Sequence, residues 1–194
     1  MQKKNIIMKQ IEVIILVALG KKNRVIGNSA TKNKMPGWNL VDDRINMSDT
    51  TKGHTVFYGR PTFETFPEKY RPLPERNNII VTRDESYLPH PTNDRTFICT
   101  SLESTLYTAN GLSYVSEGKI FCFGGGNIYK QVLSDPLIKV TKMIITEVDG
   151  DFEGDVFFPP IDLDIFRETN RVHYEKMEKR NTHDFDIVTY ERKR

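Results

Sequence analysis

The 194 residues are 38% hydrophobic and 28% charged, enough apolar material for one buried core and short for two domains. With 28 basic and 26 acidic side chains the net charge is +2, which excludes a bulk electrostatic attraction to nucleic acid or a membrane surface. Cys99 and Cys122 lie in separate apolar runs without metal spacing, so neither a disulfide framework nor a zinc site is expected.

Residues 1–10 read as a polar extension and 11–194 as the domain. Lys3, Lys4 and the run Ile11–Leu19 imitate a secretory signal, but Glu12 splits the run and the remainder is too short to span a bilayer. A soluble, cytoplasmic protein is therefore expected, with Val13–Leu19 as a strand covered on both faces. Gly20–Lys34, polar around Val25-Ile26-Gly27, reads as a long mobile loop. Met35-Pro36-Gly37-Trp38 must bend, and from Leu40 to Lys52 no Gly or Pro interrupts a helix. On that helix Asp43 and Met47 are four apart and share a face. An acid and a thioether beside a Trp-bearing loop suit a flat heterocycle with an amidine-like edge. Equally, Asp42 and Asp43 are acids favoured by a helix N-terminus.

Thr55–Gly59 follows as a strand, then Arg60–Phe66 as a helix with Pro61 in its first turn. Arg71–Pro74 is a rigid extended connection. Asn78–Thr82 and Thr96–Thr100 are strands, and Leu102–Thr108 is a helix capped by Ser101, with Ser104 less favourable. Lys119–Phe123 is a strand that runs into Gly124-Gly125-Gly126, and Asn127–Leu133 is a helix. Val140–Val148 is a strand, Gly150–Pro160 an acidic loop, and the last quarter two strands joined around Lys179–Asn181. Strands alternating with crossovers imply a single-domain α/β fold: a mainly parallel twisted sheet, helices on both faces, and an antiparallel C-terminal edge strand. The late basic residues, Lys176, Lys179, Arg180 and Arg192–Arg194, are interrupted by Glu175, Glu178 and Glu191 and read as solvated surface.

Four motifs fall at strand ends, where open α/β sheets bind ligands. Phe123-Gly124-Gly125-Gly126-Asn127 lets backbone amides approach a phosphate at a helix N-terminus, or is a tight turn needing positive φ. Tyr58-Gly59-Arg60-Pro61-Thr62 could grip a phosphate through Arg60 and Thr62, or is a capped helix with an exposed Arg. Thr82-Arg83 offers a hydroxyl and a guanidinium that a 2′-phosphate would want, or is surface. Arg76 could hold a carboxylate bidentately, or pair with Glu75 or Asp84. His54, His90, His173 and His183 read as ordinary surface. The loop acids Asp149, Asp151, Glu153 and Asp155 do not fit a calcium loop, so no metal is expected.

Assembled in order, Val25-Ile26-Gly27, Met35-Pro36 with Trp38, Asp43, Gly59-Arg60 with Thr62, Arg71-Pro72-Leu73-Pro74 with Arg76 and Asn78-Ile79-Ile80 resemble the dihydrofolate reductase family. Phe123–Gly126 with Tyr129, Thr146, Gly154-Asp155 with Phe158-Pro159, and Tyr190-Glu191-Arg192 extend the resemblance over essentially Ile11–Arg192. It implies NADPH-dependent reduction of 7,8-dihydrofolate to tetrahydrofolate, by hydride transfer to C6 and protonation of N5, in support of one-carbon metabolism. By that resemblance Asp43, Trp38 and Thr146 form the catalytic set. Asp43 binds the pterin edge, Thr146 supports it, and Ala18 and Phe123 offer carbonyls. Met47, Phe66 and Leu73 line the substrate pocket, and Arg76 clamps the substrate's α-carboxylate. The resemblance assigns the cofactor to Ala18, Ile26, Gly27, Asn28, Met35, Gly59, Arg60, Pro61, Thr62, Thr82, Arg83, Thr100, Phe123, Gly124, Gly125, Gly126, Asn127, Ile128 and Tyr129. It puts Asp155 in a loop that steadies closure of the Gly27–Trp38 segment. Gly37 is inserted relative to the family, Arg44 stands where an apolar residue is usual, and Met47 where Phe is usual. The rivals are the riboflavin-pathway reductase, against which the pair Asp43 and Arg76 argues, and a folate- or nucleotide-binding component without turnover. A monomer acting on a small molecule, without nucleic-acid or membrane partners, is expected.

Overall fold

In strand β1 (Glu12–Gly20), Val13, Ile15 and Leu19 enter one core layer while Ile14 and Leu16 enter another. Successive strand side chains point to opposite faces, so this one run can serve as the middle of a sandwich. The computed structural model describes residues 11–31, 34–112 and 118–194; the expected polar extension lies outside them. The further strands are β2 (Val25–Gly27), β3 (Thr55–Gly59), β4 (Asn77–Val81), β5 (Thr96–Cys99), β6 (Lys119–Cys122), β7 (Val140–Val148), β8 (Val156–Phe157), β9 (Phe166–Tyr174) and β10 (Phe185–Arg192). The helices are α1 (Val41–Thr51), α2 (Arg60–Thr65), α3 (Leu102–Leu112) and α4 (Gly126–Ser134), with a 3-10 turn at Glu68–Tyr70.

Eight strands form one sheet in the order β5-β4-β3-β6-β1-β7-β10-β9. From β5 to β7 every pairing is parallel, and β10 is antiparallel to both of its neighbours. This is the expected parallel sheet with an antiparallel C-terminal edge. Ala109 of α3 and Ile128, Tyr129 and Val132 of α4 pack on the face of Val13 and Ile15; Met47 of α1 and Phe63 of α2 pack on the face of Ile14 and Leu16.

Two local expectations change. Residues 20–34 were expected to be loop throughout, but β2 pairs antiparallel with β8, so the Val25-Ile26-Gly27 triplet is held by the acidic loop 150–160. At α3 Ser101 does cap the helix, Ser104 N–H donating to its hydroxyl at 3.1 Å. Ser104 is useful too, since its hydroxyl accepts the Ser101 N–H at 3.1 Å, a reciprocal capping pair.

Candidate active site at the carboxyl ends of the strands

Asp43 sits in the first turn of α1, half-buried, and its Oδ1 accepts a 2.6 Å hydrogen bond from the Thr146 hydroxyl of β7. The sheet register sets Ala18 of β1 opposite Thr146, and Ala18 shares the Ile14–Leu16 face. Burial raises the Asp43 pKa; the Thr146 hydrogen bond and the Arg44 charge lower it and are outweighed. Asp42, one residue earlier, behaves oppositely. Arg180 donates to both of its carboxylate oxygens, Asn181 donates at 2.7 Å, and these partners hold its pKa below the ordinary value. Of the two adjacent acids one is locked into a structural ion pair, and the other faces the strand ends with lone pairs to spare.

The apolar wall beside Asp43 is built around Tyr58, Phe63, Leu73 and Phe123, with Met47 and Phe66 packed on it. Arg76 is 4% exposed, and no carboxylate of a described residue lies within ion-pair distance. Its Nε donates to Thr51 Oγ1 at 2.8 Å and its Nη1 to the Pro74 carbonyl. Its Nη2 donates to the Ser48 carbonyl at 2.6 Å and to the Ser48 hydroxyl at 3.0 Å. Four of five N–H groups are thus committed, largely to the C-terminal turn of α1, whose dipole favours a cation. One Nη1 hydrogen carries no bond among the described residues. Burial lowers the Arg76 pKa against the nearby charges of Glu75 and Asp49.

The phosphate-binding candidates meet where β3 and β6 end side by side. Gly59 N–H donates to the Gly124 carbonyl at 2.6 Å, and a Cβ on Gly125 would come within 3.2 Å of Thr62 Oγ1. Gly124 has φ +77, and a side chain there would collide with the Tyr129 ring. Glycine is therefore required for the turn, and the backbone of residues 124–126 faces the Thr62 hydroxyl at the N-terminus of α4 without side chains in the way. Asn127 is exposed; Ile128 and Tyr129 are buried, the Tyr129 hydroxyl donating to Leu16 O at 2.6 Å. They shape the cradle from behind. Pro61 sits in the first turn of α2, and Thr82, Arg83 and Thr100 lie at the ends of β4 and β5 with Thr100 and Arg83 exposed.

The loop between β2 and α1 is fastened at both ends. Asn28 donates to the Glu153 carbonyl at 3.1 Å, Asp155 N–H to Gly27 O at 3.2 Å, and Ser29 N–H and hydroxyl both donate to the Asp155 carboxylate. At the other end Asn39 and Thr182 exchange backbone and hydroxyl bonds. Ile26 packs against the main core, and Met35 accepts the Thr31 hydroxyl at its carbonyl. Trp38 meets Phe152 edge-on, 4.7 Å between centroids, in the cluster of Leu40, Val148 and Phe185.

Several positioning residues escaped the sequence reading. Asn78, fully buried, accepts from Tyr58 and from Leu73 N–H and donates to Leu73 O and Arg76 O, so it shapes the segment that carries Leu73 and Arg76. Its signal was available: a polar side chain inside an apolar strand must find partners. Arg180 is exposed, as expected, yet also grips Asp42, and Asn181 is 2% exposed. His54 is half-buried against Phe121 rather than at the surface, and His173, exposed as expected, pairs with Asp186.

Residues 13–192 of the chain match the dihydrofolate reductase family. The chain is 34% identical over 182 residues to a dihydrofolate reductase of Staphylococcus haemolyticus, covering 94% of this chain and 96% of that protein. It is 33% identical over 181 residues to one from Haloferax volcanii, covering 92% and 83%. It superposes on dihydrofolate reductase from Enterococcus faecalis complexed with NADP(H) and RAB-propyl with a TM-score of 0.75, at 26% identity, over 95% of this chain and 98% of that one.

Proposed function

The chain belongs to the dihydrofolate reductase family, and from that premise we propose that the Asp43 site carries out its reaction. The enzyme reduces 7,8-dihydrofolate to 5,6,7,8-tetrahydrofolate with NADPH, the step that renews the carrier for one-carbon, thymidylate and purine synthesis. One observation carries the assignment: a half-buried carboxylate at the strand ends, with one oxygen held at 2.6 Å by Thr146. With that oxygen oriented, Asp43 offers its remaining lone pairs to the N3 and 2-amino edge of the pterin. Ala18 and Phe123 present carbonyls, while Met47, Phe66 and Leu73 enclose the flat ring, and Arg76 takes the α-carboxylate of the substrate's tail.

The glycine turn, the Thr62 hydroxyl and the N-terminus of α4 fit the phosphates of NADPH, because a Cβ at Gly125 would fill the space a phosphate needs. Bound there, NADPH supplies two electrons as hydride to C6 of the pterin. Arg60, Thr82, Arg83 and Thr100 would hold its adenosine half, and Ile26, Gly27, Asn28 and Met35 would cover its nicotinamide half. No described residue supplies a thiol or imidazole at Asp43, so water delivers the N5 proton and Asp43 polarises the ring that receives it. Closure of the Gly27–Trp38 segment, steadied by Asp155, excludes bulk water.

The reading extends to a monomer in the cytoplasm without nucleic-acid or membrane partners. Its support is the small net charge, the free thiols of Cys99 and Cys122, and the lack, among described residues, of a helix long and apolar enough to cross a membrane. NADPH oxidation with dihydrofolate, followed by absorbance, tests the site. Asp43→Asn is expected to lose roughly 100-fold or more in kcat while still binding NADPH. A variant as fast as the wild type would remove Asp43 from the mechanism.

A further inference from the structure

The basic side chains at the ends of β3 and β4 are in different circumstances. Arg83 is exposed, whereas Arg60 is held: its Nη1 lies 3.0 Å from Asp84 Oδ2 and its Nε 3.4 Å from Glu64 Oε1. Its guanidinium stacks 5.0 Å over the Tyr87 ring. Asp84 is fixed in turn. Its Oδ1 accepts the Ser86 N–H at 3.1 Å and the Ser86 hydroxyl at 2.6 Å, which leaves Oδ2 aimed at Arg60. The Ser86 bonds, and after them the Arg60 charge, hold this carboxyl below its ordinary pKa, so it is ionised at neutral pH.

The sheet order places this pair relative to the phosphate cradle. Neighbouring strands run β4-β3-β6; the cradle of Gly125 and Thr62 sits at the β3–β6 junction, and Arg60 turns the other way, toward β4. A dinucleotide with its pyrophosphate on the cradle therefore carries its adenosine ribose across the end of β3 to the Arg60–Asp84 pair. We propose that Asp84 is a specificity-determining residue: a built-in carboxylate that competes with the 2′-phosphate of NADPH for Arg60 and so narrows the preference for NADPH over NADH. This rests on the cofactor site given above. NADPH must exchange one anion for another at Arg60 and bring its phosphate beside a second negative charge, so the gain from the phosphate is reduced. NADH has no phosphate there and is indifferent to Asp84.

Isothermal titration of the wild type, Asp84→Asn, Arg60→Ala and the double variant with NADPH and with NADH separates the possibilities without relying on turnover. Asp84→Asn is expected to bind NADPH roughly three- to tenfold tighter and NADH within about twofold of the wild type. The gain should vanish in the Arg60→Ala background. Asp84→Ser, which keeps a turn-forming side chain, must show the same gain, so that loop collapse is not mistaken for the answer. Unchanged or weaker NADPH binding in both Asp84 variants overturns the proposal, as does an equal gain for NADH or a gain that survives Arg60→Ala. A wild type that binds no NADPH would instead overturn the cofactor site itself, and this inference with it.

Discussion

Because burial raises the Asp43 pKa more than Thr146 and Arg44 lower it, the folded state is less stable with that carboxylate ionised than with it protonated. An aspartate whose pKa is higher folded than unfolded contributes stability below the unfolded value, about 3.9, and loses that contribution as pH rises through the folded value. At neutral pH Asp43→Asn is therefore expected to melt at a higher temperature than the wild type even as its turnover collapses, and calorimetry at pH 7 checks it. Thr146→Val removes a bond that favours the charged form. The apparent pKa of the Asp43-dependent limb in the pH–rate profile should move upward, with kcat/KM lower by roughly tenfold. The residues alone put Asp43 on a helix face with Met47 but left Asp42 an equal; the choice of Asp43, and Thr146 altogether, came from the family resemblance. That burial would outweigh the opposing effects was not legible, because desolvation depends on what the rest of the chain places overhead.

At the scale of elements, α1 owes its position to a turn more than 130 residues away. Asn181 Oδ1 accepts the Val41 N–H at 3.1 Å and the Asp42 N–H at 3.3 Å, capping a helix whose own preceding residue, Leu40, cannot. Val41 N–H also donates to Arg180 O, and Leu40 bridges to Asn181. Asn181→Ala removes the cap and leaves the Asp42 N–H without its acceptor, while Val41 N–H keeps the Arg180 carbonyl, at a cost of about 1 kcal/mol measurable by urea unfolding. Because Asp43 stands in the same turn, the KM for dihydrofolate should rise as well. A KM that stays put would show the turn to be scaffold only. Here the sequence was silent for a plain reason: the Arg180-Asn181 dipeptide looks like any hairpin turn, and only the tertiary fold brings it to Leu40. The polar stretch 20–34 was misread for a related reason, since β2 has no strand partner until β8 arrives.

For the whole molecule, the outer surface of the sheet carries a charge network centred on Asp186 of β10. Asp186 lies within 2.8 Å of Arg171 Nη1 and His173 Nδ1 and 3.2 Å from Lys21 Nζ, which also reaches Asp149. Burial pushes its pKa up, but bonds from His173, Lys21 and Arg171 prevail and hold it at about 2 rather than 3.8. Its contribution is present above 3.8 and is lost as pH falls toward 2, while the raised pKa of exposed His173 adds stability below 6.5 that fades as pH rises through its folded value. Asp186→Asn should therefore cost most between about pH 4 and 6.5, on the order of 2 kcal/mol, and almost nothing near pH 2. Thermal melts across that range decide it. The order of strands and helices was readable from periodicity and turn residues; this network was not, since Lys21 follows β1 and Asp149 follows β7, and only the sheet order brings them to the β9–β10 pair.

That finished sheet also constrains how the protein is made. Among the described strands β1 is made first, yet its two neighbours are β6 and β7, and β10, made after all of these, sits between β7 and β9. Asp43 likewise emerges long before Thr146 and Asn181. The nascent chain therefore carries β1 unpaired until β6 is made; Asp43 gains its Thr146 hydrogen bond, and α1 its Asn181 cap, later still. Stalled chains of increasing length, probed by limited proteolysis, should show β1 protected only once residues 119–148 have cleared the exit tunnel. The topology that buries β1 so well makes it, during translation, the segment with most need of a chaperone.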